Sequence, residues 1–269
     1  MSNRYSDPNL LAEQYQTQDH LAVRIRTHDL YTVPALDLPA EGLALLPWRG
    51  DELVLDVGCG NGAYMAGVLA RTGRYIAADY SLGMLRSLTP PPSQRLNLDA
   101  QQLPCRSHSA DIILANHMLY HVPDKPQALA EIRRVLKPAG FLLAATNSQT
   151  TMSEFRDILL ATAARLGADI PLPDYFGRID FTLENGADFL APHFGSVTRH
   201  IFRNALEFRE PEPIVAYQMS MWSGWLGGSG SGVGPGEFAA AMFAYLAERF
   251  QETDVLRVHK QTGFFVCQP

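Results

Sequence analysis

The strongest constraint on this chain is a short glycine-rich stretch, Val54-Leu-Asp-Val-Gly-Cys-Gly-Asn-Gly62. An apolar run with strand character passes directly into a loop whose glycines follow the spacing G-x-G-x-G, and a segment with helical periodicity begins at Ala63. Glycines let a backbone turn sharply and approach a ligand closely. The stretch therefore predicts a strand, a ligand-binding loop and a helix, in the place where open α/β sheets hold their ligands.

Two features of this loop argue against a dinucleotide. Its glycines depart from the spacing G-x-G-x-x-G that is typical of such sites. In addition, Asp56 stands two residues before the first glycine. A carboxylate repels a pyrophosphate but attracts a ligand with an ammonium or sulfonium centre. The loop is therefore expected to hold a cationic ligand.

Strand-like and helix-like segments alternate from Leu53 to Thr146, which predicts a parallel sheet with right-handed crossovers. Three helices are indicated by apolar residues at steps of three and four, and Lys137-Pro-Ala-Gly140 ends the last of them. The predicted strands are Leu53–Val57, Tyr75–Asp79, Arg95–Leu98, Asp111–Asn116 and Phe141–Thr146, and the predicted helices are Ala63–Arg71, Leu82–Leu88 and Lys125–Leu136.

The pattern is less regular after Asn147. Two further strands are predicted, separated from each other by helices and by a glycine tract over residues 227–236. The tract is expected to form either a solvent loop or an active-site flap. The predicted helices are Met152–Leu166, Glu184–Leu190, Ile214–Met221 and Phe238–Phe250, and the predicted strands are Ser196–Phe202 and Gly263–Cys267.

The first 35 residues precede the sheet and are expected to be helical. Asp7-Pro8 is a typical start for one helix, which would include Tyr15, and Asp19 is a candidate start for a second. This N-terminal segment either packs on the back of the sheet or covers its ligand crevice. Residues 36–269 are expected to form a single domain with a ligand-binding core over 50–146 and insertions at about 150–192 and 205–255.

Charge, hydropathy and cysteine content indicate which partners and which cellular compartment to expect. The net charge is −6 with no cluster of Lys and Arg, which gives no support for binding nucleic acid or an anionic membrane. No apolar run approaches the roughly 18 residues of a membrane helix, and the polar first residues do not resemble a signal peptide. The three cysteines are odd in number and far apart, so disulfides and a zinc site are not expected. A reducing, cytoplasmic location is the expectation.

Two more acids follow strands of the predicted sheet. Asp79 ends the second strand, where a carboxylate suits two ribose hydroxyls, although sites for NAD use the same device. Asp99 follows the third strand and leads into Ala100, where a carboxylate and a backbone N–H suit an adenine edge.

Five linked stretches resemble the class I S-adenosylmethionine-dependent methyltransferases. Their order is similar to that of the branch that includes ubiquinone- and menaquinone-type methyltransferases, and the resemblance covers about residues 50–146. The five stretches are V-L-D-V-G-C-G-N-G at Val54–Gly62, D-Y-S-x-x-M-L at Asp79–Leu85, L-D-A-x-x-L-P at Leu98–Pro104, H-x-L-x-H-V at His117–Val122 and E-I-x-R-V-L-K-P-x-G at Glu131–Gly140.

This resemblance implies a Rossmann-like, doubly wound α/β fold with a seven-stranded sheet whose last strand is antiparallel. The N-terminal segment and the later insertions would add a helical cover. The implied cofactor is S-adenosylmethionine, with S-adenosylhomocysteine as its product. By resemblance, its methionine part would lie near Asp56, Gly58, Cys59, Gly60, Asn61, Asn116 and His117, its ribose at Asp79, and its adenine at Tyr80, Met84, Asp99 and Ala100. Tyr15 and Arg24 would reach its carboxylate if the N-terminal segment closes over the site.

The candidate catalytic residues are His117 and His121, where the fourth strand opens onto the crevice. Methyl transfer by in-line displacement depends mainly on positioning, and some acceptors also need a base. His121 is a candidate base or substrate contact, and the alternative is a histidine that only hydrogen-bonds the loop. The i, i+4 spacing suits a metal pair, but no third ligand accompanies it, so no metal is expected.

The acceptor is the part that the sequence leaves open. Candidate substrate contacts are His28, Tyr31, Tyr120, Tyr175 and Trp222. The aromatic and methionine side chains of the insertions suit a flat or apolar acceptor, and core packing explains such residues as well. The predicted activity is transfer of a methyl group to O, N or activated C of a small molecule. The alternatives are an RNA or protein methyltransferase and a non-catalytic module that binds S-adenosylmethionine. Oligomeric state is not predicted.

Overall fold

The computed structural model describes residues 18–92, 94–168, 180–221 and 232–269 of the chain, in two compact units. The sheet unit comprises residues 37–149, 180–202 and 262–269. The described part of the helical unit comprises residues 18–36, 150–168, 203–221 and 232–261. Two long strands run from one unit into the other. The first predicted helix, at residues 7–15, lies outside the described residues.

Eight strands belong to the sheet. They are β1 Thr32–Val33, β2 Val54–Val57, β3 Tyr75–Asp79, β4 Gln94–Asn97, β5 Ala110–Leu114, β6 Leu136–Asn147, β7 Ser196–Phe208 and β8 Leu256–Gln268. Seven of them are the predicted strands, and the two-residue β1 is additional.

The described helices match the predicted ones closely. They are α1 Gln18–Tyr31, α2 Leu38–Ala44, α3 Met65–Leu69, α4 Leu82–Ser87, α5 Lys125–Val135, α6 Ser153–Arg165, α7 Gly186–Leu190, α8 Pro211–Met219 and α9 Pro235–Glu252, with a short 3₁₀ helix at Leu119–His121. The helix over residues 38–44 was not predicted from the sequence.

The sheet unit has the predicted doubly wound topology. Its strands lie in the order β7-β8-β6-β5-β2-β3-β4. The strands β2 to β6 pair in parallel. The last strand, β8, pairs antiparallel with β6, with Leu142 opposite Cys267 and Asn147 opposite Thr262. Because β3 lies on one side of β2 and β5 on the other, the chain order reverses at β2, and the carboxyl end of β2 is the expected position of a ligand crevice.

The end of α5 shows how a predicted stop works in three dimensions. The helix ends at Val135 and the chain continues at once as β6. On β5 the paired positions are Ala110 and then Ile112, whereas on β6 they are Leu136 and then Phe141. Residues 137–140 therefore form an irregular insertion in β6, and regular pairing resumes at Phe141.

The helix after the glycine loop is shorter than predicted. It begins at Met65 instead of Ala63 and ends at Leu69 instead of Arg71. The amide of Gly62 donates to Cys59 O and the amide of Met65 donates to Gly62 O, so the chain completes further turns before the helix starts. The positive φ of 77° at Gly62 is incompatible with a helix at that residue.

The helical unit has its own hydrophobic core. Phe155 of α6, Leu206 and Phe208 of β7, and Phe238 of α9 are almost fully buried in it. Within this unit the short β1 pairs antiparallel with β7, with Thr32 opposite Leu206.

Candidate active site

The glycine loop forms at the carboxyl end of β2. Gly58, Gly60 and Gly62 have φ values of 72°, 52° and 77°, which disfavour any residue with a side chain. The amides of Gly58 and Cys59 both donate to Ala78 O of the neighbouring strand, at 2.8 and 3.0 Å. The loop is thus held against the end of β3.

Asp79, the last residue of β3, ties the loop to the next turn. Its Oδ2 accepts from Gly60 N at 2.9 Å and its Oδ1 accepts from Ser81 N at 2.8 Å. Burial raises the pKa of Asp79, and these backbone hydrogen bonds act in the opposite direction. A carboxylate has about four lone-pair sites. Each oxygen of Asp79 can therefore accept one further bond from a ligand.

The space around the glycines differs from one to the next. A Cβ on Gly58 would lie 2.7 Å from Met118 Cβ, and one on Gly62 would lie 2.9 Å from Leu88 Cδ2. A Cβ on Gly60 would have no heavy atom within 4 Å. Gly58 and Gly62 thus pack against the protein, whereas Gly60 borders open space in which a ligand can approach the backbone.

Asp56 lies beneath the loop and is only 2% exposed. It stands opposite Ala77 in the register of β2 with β3, and its Oδ2 accepts from the hydroxyl of Tyr75 at 2.8 Å. Burial raises the pKa of Asp56 to about 7, the hydrogen bond from Tyr75 lowers it, and the charge of Asp79 raises it. The prediction that Asp56 lies near a ligand ammonium group stays a prediction.

The third acid, Asp99, forms a local turn. Its Oδ1 accepts from Gln101 N at 2.9 Å, and the Gln101 side-chain amide contacts both carboxylate oxygens at 3.0 Å. Ala100 is buried beside it. Of the other residues assigned to the cofactor by resemblance, Cys59 is buried, Met84 is partly buried, and Asn61 and Tyr80 are exposed.

Asn116 and His117 follow β5 at the same end of the sheet. Asn116 is 8% exposed, and its Nδ2 and Oδ1 are both buried with no hydrogen-bond partner within the described part of the chain. An unpaired buried polar group costs about 1–3 kcal/mol, so a ligand that both donates and accepts would stabilise this amide. His117 has a φ of 54°, and burial lowers its pKa to about 4, with a smaller effect from His121.

His121 lies in the short 3₁₀ helix that follows. Its ring packs edge-on against Tyr120, with the centroids 4.5 Å apart. Among the described residues, no group of three or more His, Cys, Asp or Glu side chains is placed to hold a metal ion. The roles of His117, His121 and Tyr120 in catalysis or substrate binding remain predictions.

The remaining candidates belong to the helical unit. Arg24 and His28 lie on α1, and the His28 ring packs edge-on against Tyr217 at 5.7 Å. Tyr31 packs against Phe208 in the core of that unit. Met219 and Met221, part of the expected aromatic and methionine cover, also pack in this core. Tyr15, Tyr175 and Trp222 lie outside the described residues.

Three polar residues near the loop were not found by reasoning from the sequence. Tyr75 bonds Asp56, Asn97 Nδ2 donates to Asp79 O and Tyr80 O, and Gln101 holds Asp99. A phenol at the start of an otherwise apolar strand was the available signal for Tyr75. Its partner depends on strand register, which the sequence does not show.

The comparisons with known proteins agree with this geometry. Residues 55–144 match the family model described as a methyltransferase domain. This segment is a class I S-adenosylmethionine-dependent methyltransferase domain. It contains the glycine loop, Asp79, Asp99 and Asn116. The predicted family, its fold and its cofactor class are therefore confirmed.

Three curated relatives each match less than half of this chain. The chain spans half or less of the length of each. They are malonyl-[acyl-carrier protein] O-methyltransferase of Methylovorus sp. strain MP688 (35% identity, 39% of this chain and 40% of that one), arginine-hydroxylase NDUFAF5 of Homo sapiens mitochondria (33%, 46% and 37%) and demethylmenaquinone methyltransferase of Oceanobacillus iheyensis (33%, 40% and 50%).

A solved structure supports the fold over a greater length. The BH2331 protein of Bacillus halodurans C-125 superposes with a TM-score of 0.56 over 85% of this chain and 96% of that one, at 16% identity. Identity at this level shows the fold alone. None of the helices in the described ranges is long and apolar enough to cross a membrane.

The methyltransferase domain fits the cofactor of its family. The backbone is open to a ligand at Gly60, Asp79 keeps free acceptor sites, and the Asn116 amide lacks partners within the described residues. In the same part of the chain, no Lys, Arg or His forms an ion pair with Asp56 or Asp79. Charges removed from water are normally paired, so the unpaired carboxylates of the buried Asp56 and the partly buried Asp79 favour a cationic ligand.

Proposed function

We propose that the chain is an S-adenosylmethionine-dependent methyltransferase that acts on a small-molecule acceptor. The observation that carries the cofactor part is the pair Asp56 and Asp79, which flank the glycine loop without a basic partner among the described residues. S-adenosylmethionine has a sulfonium and an ammonium centre, and its sulfonium methyl can be displaced by a nucleophile in line with the breaking C–S bond.

Different residues of the chain would bind different parts of the cofactor. Asp79 accepts from the two ribose hydroxyls, because each of its oxygens already holds one backbone amide and retains one acceptor site. Asp56 places negative charge beneath the part of the loop that holds the methionine moiety. Asp99, fixed by Gln101, and the backbone at Ala100 take the adenine edge. The unpaired Asn116 amide hydrogen-bonds the ligand at the end of β5.

His121, and not His117, would accept the proton of the methyl acceptor. With a pKa of about 4, His117 is neutral at physiological pH but a weak base. Its role is to border the ligand at the end of β5, where its backbone amide donates to Ala145 O at 2.9 Å. His121 follows on the 3₁₀ helix and is the candidate base for an acceptor with an O–H or N–H group.

Two features support a small-molecule acceptor. The net charge of −6 does not favour a nucleic acid. Among the relatives, demethylmenaquinone methyltransferase is named for a quinone, which supports this class, whereas malonyl-[acyl-carrier protein] O-methyltransferase is named for an acyl group on a carrier protein, which supports the protein alternative.

The cofactor assignment is tested by calorimetric titration with S-adenosylhomocysteine and, separately, with NAD. We expect binding of S-adenosylhomocysteine and none of NAD. Binding of NAD with no response to S-adenosylhomocysteine would overturn the proposal.

The acceptor is tested by screening phenols, amines and quinol precursors with S-adenosylmethionine labelled on its methyl group. We expect label on a small molecule. Transfer only to RNA or to protein would replace this acceptor class by the alternative, and no transfer to any acceptor, with cofactor binding intact, would indicate a binding module.

The base is tested by replacing His121 with Ala and measuring turnover and cofactor affinity. We expect lower turnover with unchanged affinity. His193→Ala is the matched control, because His193 lies beside Gly195, which packs against Pro269 near the amino end of β6 and away from the loop. Equal turnover in both variants would remove His121 as the base.

A further inference from the structure

The Tyr75–Asp56 pair lies on one face of two neighbouring strands. Asp56 of β2 is in register with Ala77 of β3, so their side chains lie on the same face of the sheet. Tyr75 and Asp79 are two residues to either side of Ala77 and therefore lie on that face as well. The small side chain of Ala77 leaves room for the phenol to reach Asp56 Oδ2 at 2.8 Å. Tyr75 and Asp56 are each 2% exposed.

The ionisable groups around Asp56 cannot balance its charge. They are Tyr75 and Asp79 on β3, Cys59 in the loop and Tyr64 just before α3. Each of these groups is neutral or negative, and burial raises the pKa values of Cys59, Tyr64 and Tyr75 well above their usual range. Without a ligand, the carboxylate of Asp56 has hydrogen-bond support from Tyr75 and no cation within the described residues.

We propose that Tyr75 is a positioning residue that holds Asp56 in its charged form beneath the loop, and that cofactor binding releases a proton from Asp56. This inference rests on the proposed function. In the unliganded protein a fraction of Asp56 is the neutral acid. When a cationic ligand binds, the O–H bond of that acid breaks, the proton passes to the buffer and the carboxylate remains opposite the ligand.

The sign of the pH dependence follows from this linkage. The pKa of Asp56 is about 7 without ligand, and a nearby cation lowers it. The Asp56 contribution to affinity is therefore complete above about pH 8, where Asp56 is ionised in both states, and affinity falls by up to about tenfold per pH unit below pH 7. Titration of the ligand's own ammonium group above pH 8 is the same for every variant, so variants are compared at equal pH. Binding at pH 7 releases a fraction of a proton per ligand, because part of the Asp56 is protonated beforehand.

Loss of the phenol hydroxyl destabilises the carboxylate form of Asp56 relative to the neutral acid. A hydrogen bond to a charged group accounts for about a 10- to 100-fold effect, so Tyr75→Phe raises the pKa of Asp56 by about one to two units. At pH 7 this variant should release close to one proton on binding and bind about 5- to 50-fold more weakly. At pH 9.5 its affinity should approach that of the parent chain.

The experiment is calorimetric titration of the whole chain with S-adenosylhomocysteine, in buffers of different ionisation enthalpy, from pH 6 to pH 9.5. The slope of the binding enthalpy against the buffer enthalpy gives the number of protons released. Asp56→Asn should release none below pH 8 and should lose the pH dependence there.

Tyr64→Phe is the matched control. Tyr64 is also a buried tyrosine close to Asp56, but its hydroxyl makes no hydrogen bond to that carboxylate. We expect the proton count and pH profile of the parent chain in this variant. Circular dichroism and thermal melting establish that each variant is folded.

The outcomes are distinct for the two proposals. If S-adenosylhomocysteine does not bind at any pH, the proposed function itself is refuted. Binding with an enthalpy that is the same in every buffer at pH 7 overturns the inference alone. A Tyr75→Phe variant with the pH profile of the Tyr64→Phe control would likewise refute the role of Tyr75, even if Asp56→Asn failed to fold.

Discussion

Each unit contains a buried or partly buried charged group without an opposite partner among the described residues, but the charges have opposite signs. In the sheet unit they are the carboxylates Asp56 and Asp79 beside the glycine loop. In the helical unit it is Lys260 of β8, whose Nζ donates to Thr32 Oγ1 at 3.1 Å. Burial lowers the pKa of Lys260 to about 8.

The charged residues of the two units also differ in whether they lie within the segment that matches the family model. The carboxylates belong to stretches that match the methyltransferase family model, which ends at residue 144. Lys260 lies beyond that match and in none of the recognised stretches. The two carboxylates therefore lie within the segment that matches the family model, whereas Lys260 lies outside it.

The largest effect is expected from Asp79→Ala, which tests the carboxylate side of this comparison. It removes the hydrogen bond to Gly60 N of the loop, the hydrogen bond to Ser81 N of the next turn, and the acceptor sites left for a ligand. Hydrogen bonds to charged groups contribute about 1.5–3 kcal/mol each, so affinity for S-adenosylhomocysteine should fall by at least about 100-fold. Asp51→Ala, which alters an exposed acid before β2, is the control in the same titration. Equal losses in both variants would remove the special role of Asp79.

The glycines test whether the loop faces a ligand or the protein. Gly58→Ala brings both a strained φ and a contact with Met118, so unfolding free energy should fall by about 2–4 kcal/mol. Gly60→Ala meets no atom within 4 Å, so its cost in stability should be about 1 kcal/mol, with a larger loss of affinity for S-adenosylhomocysteine. Denaturant unfolding and titration measure the two quantities. A Gly60→Ala variant that bound normally would contradict the assignment of open space to the ligand.

Lys260→Met tests the other side of the comparison. The folded pKa of about 8 is below the usual value of Lys, so the charged form is destabilising below pH 8 and the cost disappears as pH rises towards about 10.5. At pH 7 the variant should gain about 1–3 kcal/mol in unfolding free energy. Lys137→Met, which removes the ion pair with Asp111, should instead lose about 1 kcal/mol. A destabilised Lys260→Met variant would show that the lysine has a stabilising partner.

The smallest effect is expected at His117, which has a left-handed φ of 54°. His117→Gly should raise unfolding free energy by about 0.5–1 kcal/mol, because glycine adopts this conformation without strain. Thermal melting without ligand measures this gain. A lower melting temperature would mean that packing of the His117 imidazole stabilises the fold by more than the left-handed backbone at this residue destabilises it.

Much of the sheet unit could be predicted, because its elements are local. Alternating apolar segments and the stop at residues 137–140 place the strands within one or two residues for β2 to β5. The starts of β6 and β8 and the end of β7 differ more. The short α3 shows why boundaries are harder: Gly62 and the turns after it delay the helix by two residues. The sequence contains the glycine but not the hydrogen bonds of the turn.

The candidate site divides in the same way. Asp56, Asp79 and Asp99 follow from their positions at or near the ends of predicted strands, and Asn116 follows from the family resemblance. Tyr75 and Lys260 do not, because their partners lie 19 and 228 positions away in the chain and meet them only when the strands assemble into the sheet.

The amino-acid sequence by itself determined the order of the strands and helices, the glycine loop and the acids around it, and through them the family. These features depend on local spacing and on where parallel strands end. Tertiary structure decided which side chains meet: that Tyr75 reaches Asp56 past the small Ala77, that Gly60 alone of the three loop glycines borders open space, and that Asn116 has a buried amide without a partner in the described chain. Strand register and burial set these contacts, and both depend on residues far apart in the chain.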